Sequence, residues 1–184
     1  MKPHTIAVLV GSLRAGSINR QLAKALEKLM PPGHVFDYVG IGDLPLYNQD
    51  HETDLPAPVV RFKRQVEAAQ AVLFVTPEYN RSIPGVLKNA IDWGSRPYGK
   101  SSWQGRPSGV VGASPGQIGS ALAQQHLRNI LAAQGSPTLT TPEVFLQCPA
   151  GLIAEDGTVA NEATRAFLEG WTKRYAEWIA RLAA

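Results

Sequence analysis

Residues 5–10 (TIAVLV) and 71–75 (AVLFV) are apolar at nearly every position instead of at alternate ones. A strand with that pattern has to be covered on both faces, which an isolated hairpin cannot provide. After each comes a stretch whose apolar residues recur at helical spacing. In residues 18–30, Leu22, Ala25, Leu26 and Leu29 form one face while Arg20, Lys24 and Lys28 form another. Strand, connection and helix in succession imply parallel strands joined by right-handed crossovers.

The alternation continues along the chain. Residues 35–39 predict a second strand and 58–69 a second helix, with Val59, Phe62 and Val66 on its apolar side. Helices are predicted at 83–93 and 120–133, and strands at 108–113 and, more weakly, 144–146. A long closing helix over 161–182 carries Phe167, Leu168, Trp171, Tyr175, Trp178 and Ile179 as its apolar stripe. The fold class is therefore α/β, a flavodoxin-like doubly wound five-stranded parallel sheet with helices on both faces. The 184 residues suit a single domain spanning 1–184.

Ligands of such sheets bind at the carboxyl ends of the strands. Residues 11–19 (GSLRAGSIN) follow the first strand and open its helix, with Ser17 placed as N-cap. Free amides of a first helical turn and the positive end of its dipole attract an anion. Ser12, Ser17 and Asn19 add neutral hydrogen-bonding groups, and Arg14 offers a charged, bidentate one. The glycine spacing imitates a nucleoside-triphosphate loop, but no lysine precedes Ser17. The dinucleotide pattern G-x-G-x-x-G is also missing, so a bound phosphomonoester fits what remains.

The loop after the third strand, residues 76–85 (TPEYNRSIPG), is held extended by Pro77, while Ser82 and Pro84 suit the start of a helix. Backbone groups of Glu78, Tyr79 and Asn80 would face the cleft, where a flat ring with polar edges needs donors and acceptors. Read blandly, it is a capped strand-to-helix connection.

Taken together, residues 11–19 and 76–93 (TPEYNRSIPGVLKNAIDW) resemble the NADPH-dependent FMN reductase family, close to its quinone, chromate and azo-dye reductase members. The resemblance implies that Arg14, Ser17, Ile18 and Asn19 grip the FMN phosphate. It also implies that Pro77, Glu78, Tyr79 and Asn80 line the isoalloxazine ring, with Ser114 of residues 112–119 (GASPGQIG) as a further contact. The implied activity is NADPH- or NADH-dependent reduction of quinones, flavins, chromate or azo dyes through bound FMN by a ping-pong scheme. No catalytic acid or base is demanded by hydride transfer, because the chemistry belongs to the cofactor. The family also implies a homodimer or homotetramer, to which Tyr98 and Trp103 of the loop-rich segment 95–107 would contribute unless they cover the chain's own core.

Other readings are bounded by composition. A formal charge of +3 spread without a dense basic run argues against nucleic acid, and it also sets the chain apart from flavodoxin-type electron carriers, which are usually acidic. A flavin-free binding module on the same scaffold is a third reading. The single cysteine, Cys148, excludes an internal disulfide or a multi-cysteine metal site, and it reads as a small packed side chain. No metal is expected, and the four histidines read as solvent-facing or packed. Residues 1–4 lead directly into the first strand without a secretory h-region, and no stretch reaches the roughly 20 apolar residues of a membrane span. The expected location is the cytoplasm, with no membrane partner. A preference for NADPH would need an arginine for its 2′-phosphate, and Arg14, Arg81, Arg96 and Arg106 are the candidates; the resemblance gives Arg81 no flavin role, and by itself it reads as a surface or interface arginine.

Overall fold

Strands β1 (His4–Val10), β2 (His34–Tyr38), β3 (Ala71–Val75), β4 (Ser108–Ser114) and β5 (Val144–Gln147) form one sheet in the order β2-β1-β3-β4-β5, every pair parallel. The computed structural model describes residues 3–182; Met1 and Lys2, which the sequence places ahead of the first strand, lie outside them. Helices α1 (Ile18–Leu29) and α5 (Glu162–Leu182) cover one face, and α2 (Ala57–Ala68), α3 (Gly85–Gly94) and α4 (Ala121–Ala133) cover the other. Alternation within β1 shows why its apolar run is continuous. Ile6, Val8 and Val10 pack towards α1 and α5, while Ala7 and Leu9 pack towards α2, α3 and α4.

The helical faces follow the predicted stripes, with two departures. On α5, Leu168, Trp171, Tyr175 and Ile179 are buried, but Phe167 is 43% exposed. At 100° per residue Phe167 falls at the edge of that stripe, and the buried Thr172 lies nearer its centre. Helix α3 begins at Gly85 and not at residue 83, because the chain first closes a tight turn over residues 79–82 and then passes through extended Pro84 (φ −59°, ψ 144°).

The connection from β1 runs outward to β2, and the next returns across β1 to β3. The β1/β3 boundary is thus the topological switch point, where neighbouring crossovers depart on opposite sides and leave a crevice at the carboxyl ends of the strands.

Candidate functional site

The three loops singled out in the sequence begin side by side at this crevice. The Gly11 amide donates to the Val75 carbonyl (2.9 Å) and the Thr76 amide to the Val111 carbonyl (3.0 Å), so the ends of β1, β3 and β4 form a level row. Close packing holds the row together. A Cβ at Gly11 would lie 3.2–3.4 Å from Leu87, Pro77 and Thr76. One at Gly112 would overlap both the Ser120 hydroxyl and the Thr76 carbonyl.

In the first loop, Ser17 is the N-cap of α1, its hydroxyl accepting from the Arg20 amide at 3.3 Å. Among the described residues none accepts a hydrogen bond from the amides of residues 12–19, which leaves a cluster of donors at the helix start. Ser12 is buried, whereas residues 13–16, Arg14 included, are exposed around it. Arg14 makes no ion pair among the described residues. An anion approaching this loop meets unsatisfied amides, a helix dipole and one exposed guanidinium. Ile18 is partly buried and packs on the core. Asn19 differs from what its residue type suggests: its side chain is buried and spends both polar atoms on Ala113 of β4, so only its backbone amide can serve a phosphate.

The second loop contains a division of labour that spacing does not reveal. The Thr76 hydroxyl donates to the Pro77 carbonyl (2.8 Å) and stiffens the loop's entry. Glu78 Oε2 accepts from the amides of Leu122 (3.0 Å) and Ala123 (3.2 Å), so its carboxylate caps α4, whose own N-cap, Ser120, makes no side-chain cap. Tyr79 and Ser82 exchange backbone hydrogen bonds of 2.9 and 3.1 Å around Asn80 (φ 52°) and Arg81 (φ 66°). Two successive left-handed residues are what a two-residue hairpin turn requires. Asparagine tolerates that conformation, but arginine does so at a cost of about 1 kcal/mol. The Arg81 side chain is 68% exposed and only 3.8 Å from Glu78, a loose contact in solvent. Pro77 is buried, Glu78 partly so, and Tyr79 and Asn80 are exposed at the mouth of the crevice. Beside the turn, the Ser82 hydroxyl and His126 Nδ1 lie 3.0 Å apart.

The third loop closes the row. The Ser114 hydroxyl accepts from the Gly116 amide (3.1 Å), and the Ser114 carbonyl accepts from the Cys148 amide (2.8 Å). Gly119 has φ 63°, and a Cβ there would overlap the backbone of Phe145 in β5, so the loop's close approach to β5 requires glycine.

Segment 95–107 divides in two. Trp103 is fully buried between Phe62 and Phe74, donates to the Ile91 carbonyl (2.9 Å), and occupies the space that a Cβ at Gly94 would fill. It covers the chain's own core. Tyr98, by contrast, is 90% exposed. Behind them the buried Lys63 ammonium donates to Ser102 (2.6 Å) beside Glu67 (3.3 Å), and burial lowers its pKa. Cys148 is buried, and burial pushes its thiol up. Among the described residues no group of three His, Cys, Asp or Glu side chains is placed to hold a metal ion, and no helix is long and apolar enough to cross a membrane.

A profile of the family described as NADPH-dependent FMN reductase matches residues 4–149. The chain is 48% identical over 174 residues to a 2-hydroxy-1,4-benzoquinone reductase of a Burkholderia species, with 95% of each chain covered. It superposes with a TM-score of 0.93 on FerB, a flavoenzyme NAD(P)H:(acceptor) oxidoreductase from Paracoccus denitrificans, at 48% identity and with 97% and 98% of the two chains covered. A flavodoxin from Pseudomonas aeruginosa, at 20% identity and a TM-score of 0.56 over 98% and 99% of the chains, shares the fold.

Proposed function

The chain belongs to the NADPH-dependent FMN reductase family, and we propose that its three strand-end loops hold FMN at the β1/β3 boundary and present it to a quinone acceptor. It is an NAD(P)H-dependent FMN oxidoreductase with a flavodoxin-like fold. The observation that carries the placement is the adjacency of the unsatisfied amides of residues 12–19 to the loop starting at Thr76, within one hydrogen-bonded row. When bound, FMN supplies the two-electron chemistry, accepting hydride from the nicotinamide and passing reducing equivalents to the acceptor.

The chain's own residues bind and orient. Amides of residues 12–19, the Ser12 and Ser17 hydroxyls and Arg14 hold the phosphate, with Ile18 and Asn19 fixing the start of the helix. Pro77, the backbone of Glu78, Tyr79 and Asn80, and Ser114 flank the ring. The donors suit this group, being neutral amides and a single cation facing a dianionic phosphate, with no carboxylate in residues 11–19. The Glu78 carboxylate, turned onto α4, keeps its charge engaged by backbone donors. Residues 1–184 act as one FMN-binding unit in the cytoplasm.

Quinone is the proposed acceptor because the Burkholderia relative reduces a benzoquinone. Rapid mixing of the FMN-loaded protein with NADPH and NADH, followed by steady-state rates with benzoquinones, free flavin, chromate and an azo dye, tests the reading. Fast bleaching of the flavin and parallel initial-rate lines are expected. Slow bleaching with both nicotinamides would favour an electron carrier, and protein that takes up no FMN would favour a binding module. A homodimer or homotetramer is proposed from exposed Tyr98 and from exposed Leu13, Tyr79, Ile118 and Leu122 at the loop end. Light scattering at micromolar concentration should give at least twice the chain mass.

A further inference from the structure

The structure assigns Arg81 as the residue that selects NADPH over NADH, by meeting the adenosine 2′-phosphate at the groove between α3 and α4. The assignment rests on the functional reading above and follows from where four arginines spend their charge. Arg106 donates to the carbonyls of Ser102 and Ala69, beside the amino ends of β3 and β4 and thus at the far edge of the sheet from the crevice. Arg96 lies 5.7 Å from the centre of the Tyr47 ring and 3.6 Å from Glu52, whose carboxylate also accepts from the Tyr47 hydroxyl. Arg14 stands in the phosphate loop, where the functional reading gives it to the FMN phosphate. With Arg14 given to the FMN phosphate, Arg81 is the other exposed arginine at the crevice, and its guanidinium makes only a 3.8 Å contact, to a carboxylate whose second oxygen accepts from two amides.

Its backbone points the same way. A left-handed position in a two-residue turn favours glycine or asparagine, and arginine persists at Arg81 despite φ 66°. Backbone strain of this kind clusters at sites of ligand binding, which points to a use for the side chain. The turn leads directly into a groove of about 520 Å³ whose lining includes Ser82, Ile83, Lys88, His126, Asn129 and Ile130. That volume suits a nucleoside, with isoleucines for the base and hydroxyl, amide and imidazole groups for the ribose and phosphate. Lys88, which lines the groove, is paired with Asp92 at 2.7 Å, whereas Arg81, one residue before the groove-lining Ser82, has only the looser 3.8 Å contact with Glu78. A groove of similar size, about 530 Å³, is lined by Arg96, but it lies at the carboxyl ends of α3 and α4, away from the crevice, and the cavity next to Arg20 between β1 and β2 is about 160 Å³, too small for an adenosine.

Two variants and two ligands test this. In the FMN-loaded protein, Arg81→Ala should raise KM for NADPH about tenfold, the loss of one charge-assisted contact, while KM for NADH stays within twofold. Calorimetric titration with 2′,5′-ADP, which carries the 2′-phosphate but no hydride, should show binding to the wild type that weakens by the same factor in the variant. The weaker binding of 5′-AMP should be unchanged. Arg81→Gly relieves the left-handed backbone, so it should lose the same selectivity with no fall in thermal midpoint, which separates the effect from damage to the turn. Equal changes in KM for the two nicotinamides, or 2′,5′-ADP binding that ignores the substitution, would overturn the assignment. Failure of both nicotinamides to reduce the wild-type flavin would instead count against the functional reading, and the 2′,5′-ADP titration would still report on Arg81.

Discussion

The side chain of Asn19 pairs with both backbone groups of Ala113, Nδ2 donating to the carbonyl at 2.9 Å and Oδ1 accepting from the amide at 3.0 Å. The contact spans 94 positions and is buried, so it joins the first turn of α1 to the last residues of β4 without competition from water. Asn19→Ala would leave two buried backbone groups unsatisfied, at about 1–3 kcal/mol each before relaxation. A loss of roughly 2–4 kcal/mol is expected, read as a lower urea midpoint at unchanged m-value in the FMN-free protein. FMN should also bind more weakly, since the phosphate loop and the third loop lose their common tie. A variant as stable as the wild type would mean that water or a neighbour replaces both bonds.

Gly112 is the tightest point of the row. A methyl group there would overlap the Thr76 carbonyl, which is backbone and cannot rotate away, as well as the Ser120 hydroxyl. Gly112→Ala should therefore separate β4 from the second loop and cost more than about 3 kcal/mol, comparable to severe overpacking of a core. Gly16→Ala, where a Cβ meets nothing within 4 Å, is the matched control and should stay within about 0.5 kcal/mol by the same denaturation assay.

Local signals carried the frame of this molecule. The doubly apolar runs of β1 and β3 and the Ser17 cap were readable because each depends on residues adjacent in sequence. The start of α3 was not, since the left-handed pair Asn80 and Arg81 lacks the glycine that usually announces such a turn. That the side chain of Asn19 is spent elsewhere was not readable either, because an asparagine at a helix start is simply a hydrogen-bonding residue and nothing nearby reveals a partner 94 positions away. Glu78 and Leu122 are likewise 44 positions apart, so a carboxylate near the predicted ring pocket proved to cap a different helix. Tyr98 and Trp103 share one segment yet part ways: Trp103 fills the space that a Cβ at Gly94, on α3, would take, and Tyr98 stands in solvent. Pairings across the fold decide which of several plausible polar residues stays free for a ligand.

That cap can be tested by stability alone. Glu78 presents a negative carboxylate to the first-turn amides of α4, combining hydrogen bonds with the helix dipole. Glu78→Ala should destabilise the FMN-free protein by about 1–2 kcal/mol. Glu78→Gln keeps an accepting oxygen but not the charge and should recover about half, with the difference shrinking as salt is added.

The loop after β5 supplies a pH test. Asp156 accepts from Lys28 at 2.8 Å and from the Thr158 amide and hydroxyl at 2.9 Å, and these bonds, that to Lys28 foremost, hold its carboxyl well below the usual carboxylate range. The folded value lies below the unfolded one, so across the interval between them the unfolded chain binds more protons and stability rises with pH. The contribution is complete above the unfolded carboxylate value of about 4 and fades as pH falls through the folded value. Asp156→Asn should accordingly lower the thermal midpoint slightly at pH 7, with a gap to the wild type that narrows at pH 3.5 and below. A gap that widens in acid would show that the pair with Lys28 is not its source.

Arg14 separates what the phosphate loop does with charge from what it does with backbone. Its guanidinium is exposed and without an ion pair among the described residues, so its removal should leave the fold untouched, within about 0.5 kcal/mol. FMN differs from riboflavin only in the phosphate, which makes the pair of ligands a direct probe of the loop. Arg14→Ala should weaken FMN binding by roughly 1.5–3 kcal/mol, the range for a hydrogen bond to a charged group, while riboflavin binding stays as it was. Flavin fluorescence quenching gives both constants under the same conditions. If the FMN preference survives intact, the amides of residues 12–19 hold the phosphate without help, and Arg14 serves only to draw the anion in.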